Sequence, residues 1–137
     1  EQNLNNAAFV RTQIELINHI FDKGEVSEIW ITFPDPQIKY KRLKHRLTNP
    51  VFLNKYAHIL KAEGLVHLKT DSEFLHGYTH GILQALNLPV FESFHDIDLQ
   101  LVNHDGLLHK VKTYYESLFR NKGKVITYIK FGVHGQN

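Results

Sequence analysis

Residues 29–36 read Ile-Trp-Ile-Thr-Phe-Pro-Asp-Pro, and few sequences restrict the path of a chain so tightly. Ile29, Trp30, Ile31 and Phe33 form a short apolar run with a β-branched bias, which predicts a buried strand over Glu28–Phe33. Pro34 lacks the N–H that a ladder needs, and Pro36 drives Asp35 out of the helical region. The strand must stop there. It leaves the Asp35 carboxylate on a stiffened backbone at its carboxyl end, where open α/β sheets place their ligands.

A cationic stretch follows at once. Lys39, Lys41, Arg42, Lys44 and Arg46 fall within eight residues, with His45 among them and no acid. The net charge of +2 over 137 residues conceals this segment, since the rest of the chain sets 11 Lys/Arg against 14 Asp/Glu. Clustered positive charge is the footprint of a polyanion partner. A charge run alone is usually a solvated surface. Its position directly after a strand-end acid favours chemistry on a polyanion.

Composition narrows the field further. A hydrophobic content of 42% suits one domain over residues 1–137 with a sizeable core. Without cysteine there are no disulfides, thiolate nucleophiles or Cys-ligated zinc sites. No stretch reaches the ~18 apolar residues of a membrane span, and no signal-peptide pattern is present, so a cytoplasmic protein is expected. The chain opens on Glu1, contains no Met and lacks a G-x-G nucleotide-binding turn. These features lead us to expect a fragment.

Periodicity supplies the remaining elements. Ala7–Arg11 reads as a short strand and Thr12–Lys23 as a helix stopped by Gly24. Thr48-Asn49-Pro50 reads as a helix start, with Phe52, Leu53, Tyr56, Ile59 and Leu60 on its apolar face and Gly64 at its end. Leu65–Lys69 is a strand, and Ser72–Leu86 is a helix. Asp96–Val102 alternates as an antiparallel or edge strand would. Thr113–Phe119 reads as a short helix and Val125–Phe131 as a strand. Strands alternating with helical crossovers imply an α/β fold with a mostly parallel sheet and helices on its faces.

The stretch FPDPQIKYKRLKHRLT resembles the signature of the bacterial tRNA (guanine-N7)-methyltransferase family. The resemblance extends to Thr70-Asp71 after the next strand and to Thr113-Tyr114-Tyr115-Glu116. It implies a Rossmann-like class I methyltransferase fold, a doubly wound, mostly parallel sheet. This chain would be the C-terminal, substrate-facing part, with an antiparallel edge strand and without the Gly-rich cofactor half. It further implies S-adenosyl-L-methionine as cofactor, tRNA as partner, and transfer of methyl to N7 of a variable-loop guanine. No metal and no membrane enter that chemistry. A fragment of this kind would be inactive alone. Two positions depart from the family: Gln37 stands where Trp is frequent, and Gln13 where an acid near the cofactor adenine is usual.

The resemblance assigns roles residue by residue. Asp35 becomes the catalytic acid and, with Gln13, a cofactor contact. Lys39, Asp71, Thr113, Tyr114, Tyr115 and Glu116 become substrate contacts. Lys41, Arg42, Lys44, His45 and Arg46 become RNA contacts. Plainer readings stand beside these. Asp35 would suit a turn carboxylate bonded to backbone amides. Asp71 or Ser72 would cap the next helix, and Thr113 with Glu116 forms a capping box. His76 and His80, four apart on a helix, lack a third metal ligand. Trp30 reads as core. A non-catalytic RNA-binding domain using residues 39–46 is the rival reading of the whole chain.

Overall fold

The computed structural model describes residues 5–96 and 125–135. Four strands form one sheet: β1 (Val26–Thr32), β2 (Leu60–Thr70), β3 (Val90–Phe94) and β4 (Thr127–Phe131), in the order β1-β2-β4-β3. β1 and β2 pair in parallel, whereas β4 is antiparallel to both β2 and β3. Three strands therefore share one direction and β4 alone runs against them. The result is a mixed α/β sheet in which three of the four described strands share a direction. The expected reversed strand exists, but it is internal.

Among the described residues, two α-helices connect the strands. α1 (Pro50–Ile59) begins at Asn49, whose side chain accepts from the Phe52 amide, with proline in the first helical turn. This is the capped start that Thr48-Asn49-Pro50 implied. α2 (Glu73–Ala85) begins at Ser72, whose hydroxyl accepts from the Leu75 amide. Both helices cover one sheet face. Phe52, Leu53 and Tyr56 of α1 and Leu75 and Leu83 of α2 pack against Ile31, Val66, Leu68, Ile129 and Phe131. Buried hydroxyls of Thr48 and Thr79, 2.7 Å apart, tie the approach to α1 to the middle of α2.

The opposite sheet face carries an aromatic stack. Trp30 lies over His67 with ring centroids 3.9 Å apart and planes within 4°. His67 Nε2 is 2.8 Å from a Glu28 carboxylate oxygen and Nδ1 is 2.7 Å from the Tyr128 hydroxyl. Burial holds the His67 pKa below its ordinary value despite Glu28. A neutral ring then donates to Glu28 through Nε2 and accepts from Tyr128 through Nδ1. Trp30 is half-buried in this stack, packed against Ile126 and Tyr128.

Three expectations change. Ala7–Arg11 forms no strand: Phe9 is fully exposed, and an unpaired segment has no ladder to join. Thr12–Lys23 contracts to a 3₁₀ helix over Ile14–His19 with no buried residue. Its apolar residues touch the core only through Ile14, too little burial to support a longer α-helix. Gly64 does not end α1. The chain turns extended at Leu60, and Gly64 sits inside β2 where the register slips from Val26↔Leu60 to Glu28↔Leu65. A Cβ there would lie 2.8 Å from Leu60 Cδ2 and 2.9 Å from the Lys61 carbonyl oxygen. Among the described strands β1 and β3 are the edges, and β3 ends just before the expected Asp96–Val102. Asp96 is not in a strand, residues 97–102 lie outside the described residues, and so does Thr113–Phe119.

Candidate active site

The carboxyl ends of β1 and β2 lie side by side, with Thr32 opposite Lys69. The Phe33 amide donates to the Lys69 carbonyl at 2.8 Å, holding the strands together to the last residue before the prolines. Asp35 and Asp71 follow the ends of these neighbouring strands. Adjacent strands are ~4.8 Å apart, so the two acids emerge on the same rim of the sheet.

The segment between Phe33 and Lys39 is held in unusual conformations. Phe33 and Gln37 both have φ of 51°, the left-handed region that side-chain-bearing residues seldom occupy. The Gln37 amide donates to Asp35 Oδ1 at 2.9 Å, closing an Asx-type turn around the exposed carboxylate. One oxygen of Asp35 is therefore committed to the backbone. The turn reading and the functional reading are compatible, because the turn orients the acid.

The basic stretch folds as a 3₁₀ helix over Tyr40–His45, opened by Lys39. Lys39, Lys41, Arg42 and Lys44 are exposed and His45 is half-buried, beside the Asp35 turn. Arg42 Nε donates to the Gln37 side-chain oxygen at 3.2 Å, so the residue in the family's frequent Trp position organises one of the cations. Asn49 fixes the end of this helix, donating from Nδ2 to the Lys44 carbonyl at 2.9 Å. Tyr40 stands out into solvent among the cations.

Arg46 is placed differently from the other cations of the run. It is only 6% exposed, and it points inward. Nε donates to the Gln37 carbonyl at 2.9 Å and Nη2 to the Ile38 carbonyl at 3.0 Å. Its guanidinium lies 4.7 Å from the Phe74 ring centroid and 4.6 Å from that of Tyr78. Its enclosure sets it apart from the exposed Lys41, Arg42 and Lys44 of the same run. The i, i+4 spacing of Phe74 and Tyr78 on α2 was the available signal for this platform.

At the β2 end, Ser72 caps α2 and also donates its amide to the Thr70 hydroxyl at 3.1 Å. The cap thus falls to Ser72 and not to Asp71. Gln13 opens the 3₁₀ helix that borders α1, where Lys55 Nζ donates to the Glu15 carbonyl at 3.2 Å. Thr113, Tyr114, Tyr115 and Glu116 lie outside the described residues.

A third cluster sits on α2 and the turn after β3. The rings of His76 and His80 are 4.9 Å apart and edge-on, and His95 lies 6.1 Å from His76. Burial, then His80 and His95, push the His76 pKa down to about 4. Among the described residues no group of three or more His, Cys, Asp or Glu is placed to hold a metal ion.

The fold and rim together set two strand-end acids and a cationic flank at one edge of a mixed α/β sheet. Sequence comparison makes this particular. Residues 1–129 match the family described as "Putative methyltransferase", and the chain belongs to that family. It is 53% identical over 133 residues to a tRNA (guanine-N(7)-)-methyltransferase of Christiangramia forsetii, covering 97% of this chain and 59% of that one. Similar proteins of the same description occur in Porphyromonas gingivalis (43% identity, 97% and 53% covered) and Bacteroides thetaiotaomicron (45% identity, 93% and 49% covered). The chain spans about half the length of the curated relatives it matches.

Proposed function

We propose that this chain is the substrate-facing part of an S-adenosyl-L-methionine-dependent tRNA (guanine-N7)-methyltransferase. The observation that carries this reading is the oriented, exposed Asp35 carboxylate beside the cationic 3₁₀ helix. The descriptions of the relatives support it. Asp35 acts as the central acid. Lys39 and Asp71 hold the substrate nucleotide, joined by Thr113, Tyr114, Tyr115 and Glu116. Lys41, Arg42, Lys44 and His45 face the phosphate backbone. A cytoplasmic location belongs to the same proposal, and among the described residues no helix is long and apolar enough to cross a membrane.

The chemistry asks little of a base. Guanine N7 is a lone-pair acceptor on the major-groove edge, so no proton must leave before it bonds to a methyl carbon. S-adenosyl-L-methionine supplies that methyl as an electrophile when bound. As the N–C bond forms, the sulfonium S–CH3 bond would break, leaving a neutral thioether and passing the positive charge to the purine. A fixed carboxylate beside it opposes the growing charge, and held geometry aligns the attacking nitrogen. The Asx-type turn serves this need, since a pre-oriented carboxylate requires no reorganisation as charge develops.

The described residues do not enclose the cofactor by themselves. Asp35 and Gln13 offer one carboxylate and one carboxamide, while a nucleoside with a ribose diol calls for backbone donors and an acid in a tight turn. This chain's contribution is therefore to substrate and alignment. The test is methyl transfer by the full-length protein to a tRNA transcript, with the modified position read by cleavage at 7-methylguanosine. Transfer to N7 of a variable-loop guanine is expected. Methylation elsewhere, or none, would refute the proposal.

A further inference from the structure

We infer that Arg46 is the positioning residue of the Asp35 turn and not one of the RNA-holding cations, an inference that rests on the role proposed for Asp35. Its guanidinium donates to two successive carbonyls, Gln37 and Ile38, while lying against Phe74 and Tyr78. The Gln37 amide, in turn, donates to Asp35 Oδ1. Arg46 thus reaches the carboxylate through a single residue. That residue has φ of 51°, a conformation that a side-chain-bearing residue keeps only when its surroundings impose it. Arg46 supplies the constraint from beneath.

The two rings add a second link. Phe74 and Tyr78 belong to the first half of α2, whose cap immediately follows Asp71. The Arg46 stack therefore fastens the Asp35 turn to the element that begins at Asp71. One buried side chain sets the relation between the two strand-end acids. Lysine cannot replace it, because an ammonium has neither the planar fork for two carbonyls nor the flat face for two rings.

The test compares Arg46→Lys, Arg46→Gln and Lys44→Gln in the full-length protein. The readouts are single-turnover methyl transfer, tRNA affinity across salt concentrations, and amide hydrogen exchange over residues 35–40. For Arg46→Lys we expect faster exchange in that segment and a transfer rate reduced roughly 10- to 100-fold, as a slightly misplaced group gives. Its tRNA affinity and salt slope should match wild type. Phe74→Leu keeps every cation, and should also raise exchange over 35–40. It carries the test if Arg46→Lys fails to fold. Wild-type turnover in Arg46→Lys, with Arg46→Gln losing about 0.7–0.9 of salt slope as Lys44→Gln does, would make Arg46 a phosphate contact and overturn the inference. Unchanged exchange in both Arg46→Lys and Phe74→Leu would overturn it too. A loosened segment in a protein whose wild type transfers no methyl group would refute the role of Asp35 and keep the brace.

Discussion

Asp35 shows how one residue serves local structure and chemistry together. Its carboxylate closes a turn through the Gln37 amide, yet the side chain is exposed at the sheet rim. Asparagine keeps the shape and the acceptor oxygen, so Asp35→Asn should preserve the turn while removing the charge that opposes the purine cation. We expect single-turnover methylation by the full-length protein to fall about 10²-fold or more, with tRNA affinity within roughly twofold of wild type. Near-wild-type turnover would remove Asp35 from the reaction. The acid and its proline frame were legible from sequence because two prolines leave the backbone almost no choice. Arg46 was not. A count of charges cannot distinguish a cation that faces solvent from one that turns inward onto two carbonyls and two rings.

At the scale of elements, the basic 3₁₀ helix now contributes three exposed Lys/Arg after its opening lysine: Lys41, Arg42 and Lys44. Each phosphate contact lowers the log–log salt slope of RNA binding by roughly 0.7–0.9. Neutralising all three should flatten the slope by about 2 to 3 units, measured by tRNA titration at several salt concentrations. An unchanged slope would mean that the helix is only a solvated surface. Gly64 makes a separate prediction. Because an added Cβ would press on the Lys61 carbonyl oxygen inside β2, Gly64→Ala should lower stability by roughly 1–3 kcal/mol in urea unfolding. The capped helices α1 and α2 were legible because side chains such as Asn49 and Ser72 mark a start by satisfying amides locally. The passage of β2 through Gly64, and the edge strand β3, were not legible. Both depend on partners distant in sequence, β1 and β4, which no local pattern names.

The molecule as a whole buries its histidines unevenly, and this links stability to pH. His76 is buried on α2 with Nδ1 lacking a hydrogen-bond partner, and its pKa is pushed down to about 4 by burial and by His80 and His95. His67 and His80 are also held below the ordinary value, chiefly by burial. Their folded pKa values lie below the unfolded ones, so the unfolded chain takes up protons first as pH falls. The stability associated with these neutral rings is complete above the unfolded pKa of about 6.5 and declines as pH drops toward 4. For His76 alone the loss by pH 5 is about 2 kcal/mol. Urea unfolding at pH 8 and pH 5 should show at least this difference. His76→Leu should shrink it by about the same amount, because leucine cannot take up the proton and suits the apolar side of α2. A pH difference unchanged in His76→Leu would show that another group, and not the buried α2 imidazole, carries the acid sensitivity of the fold.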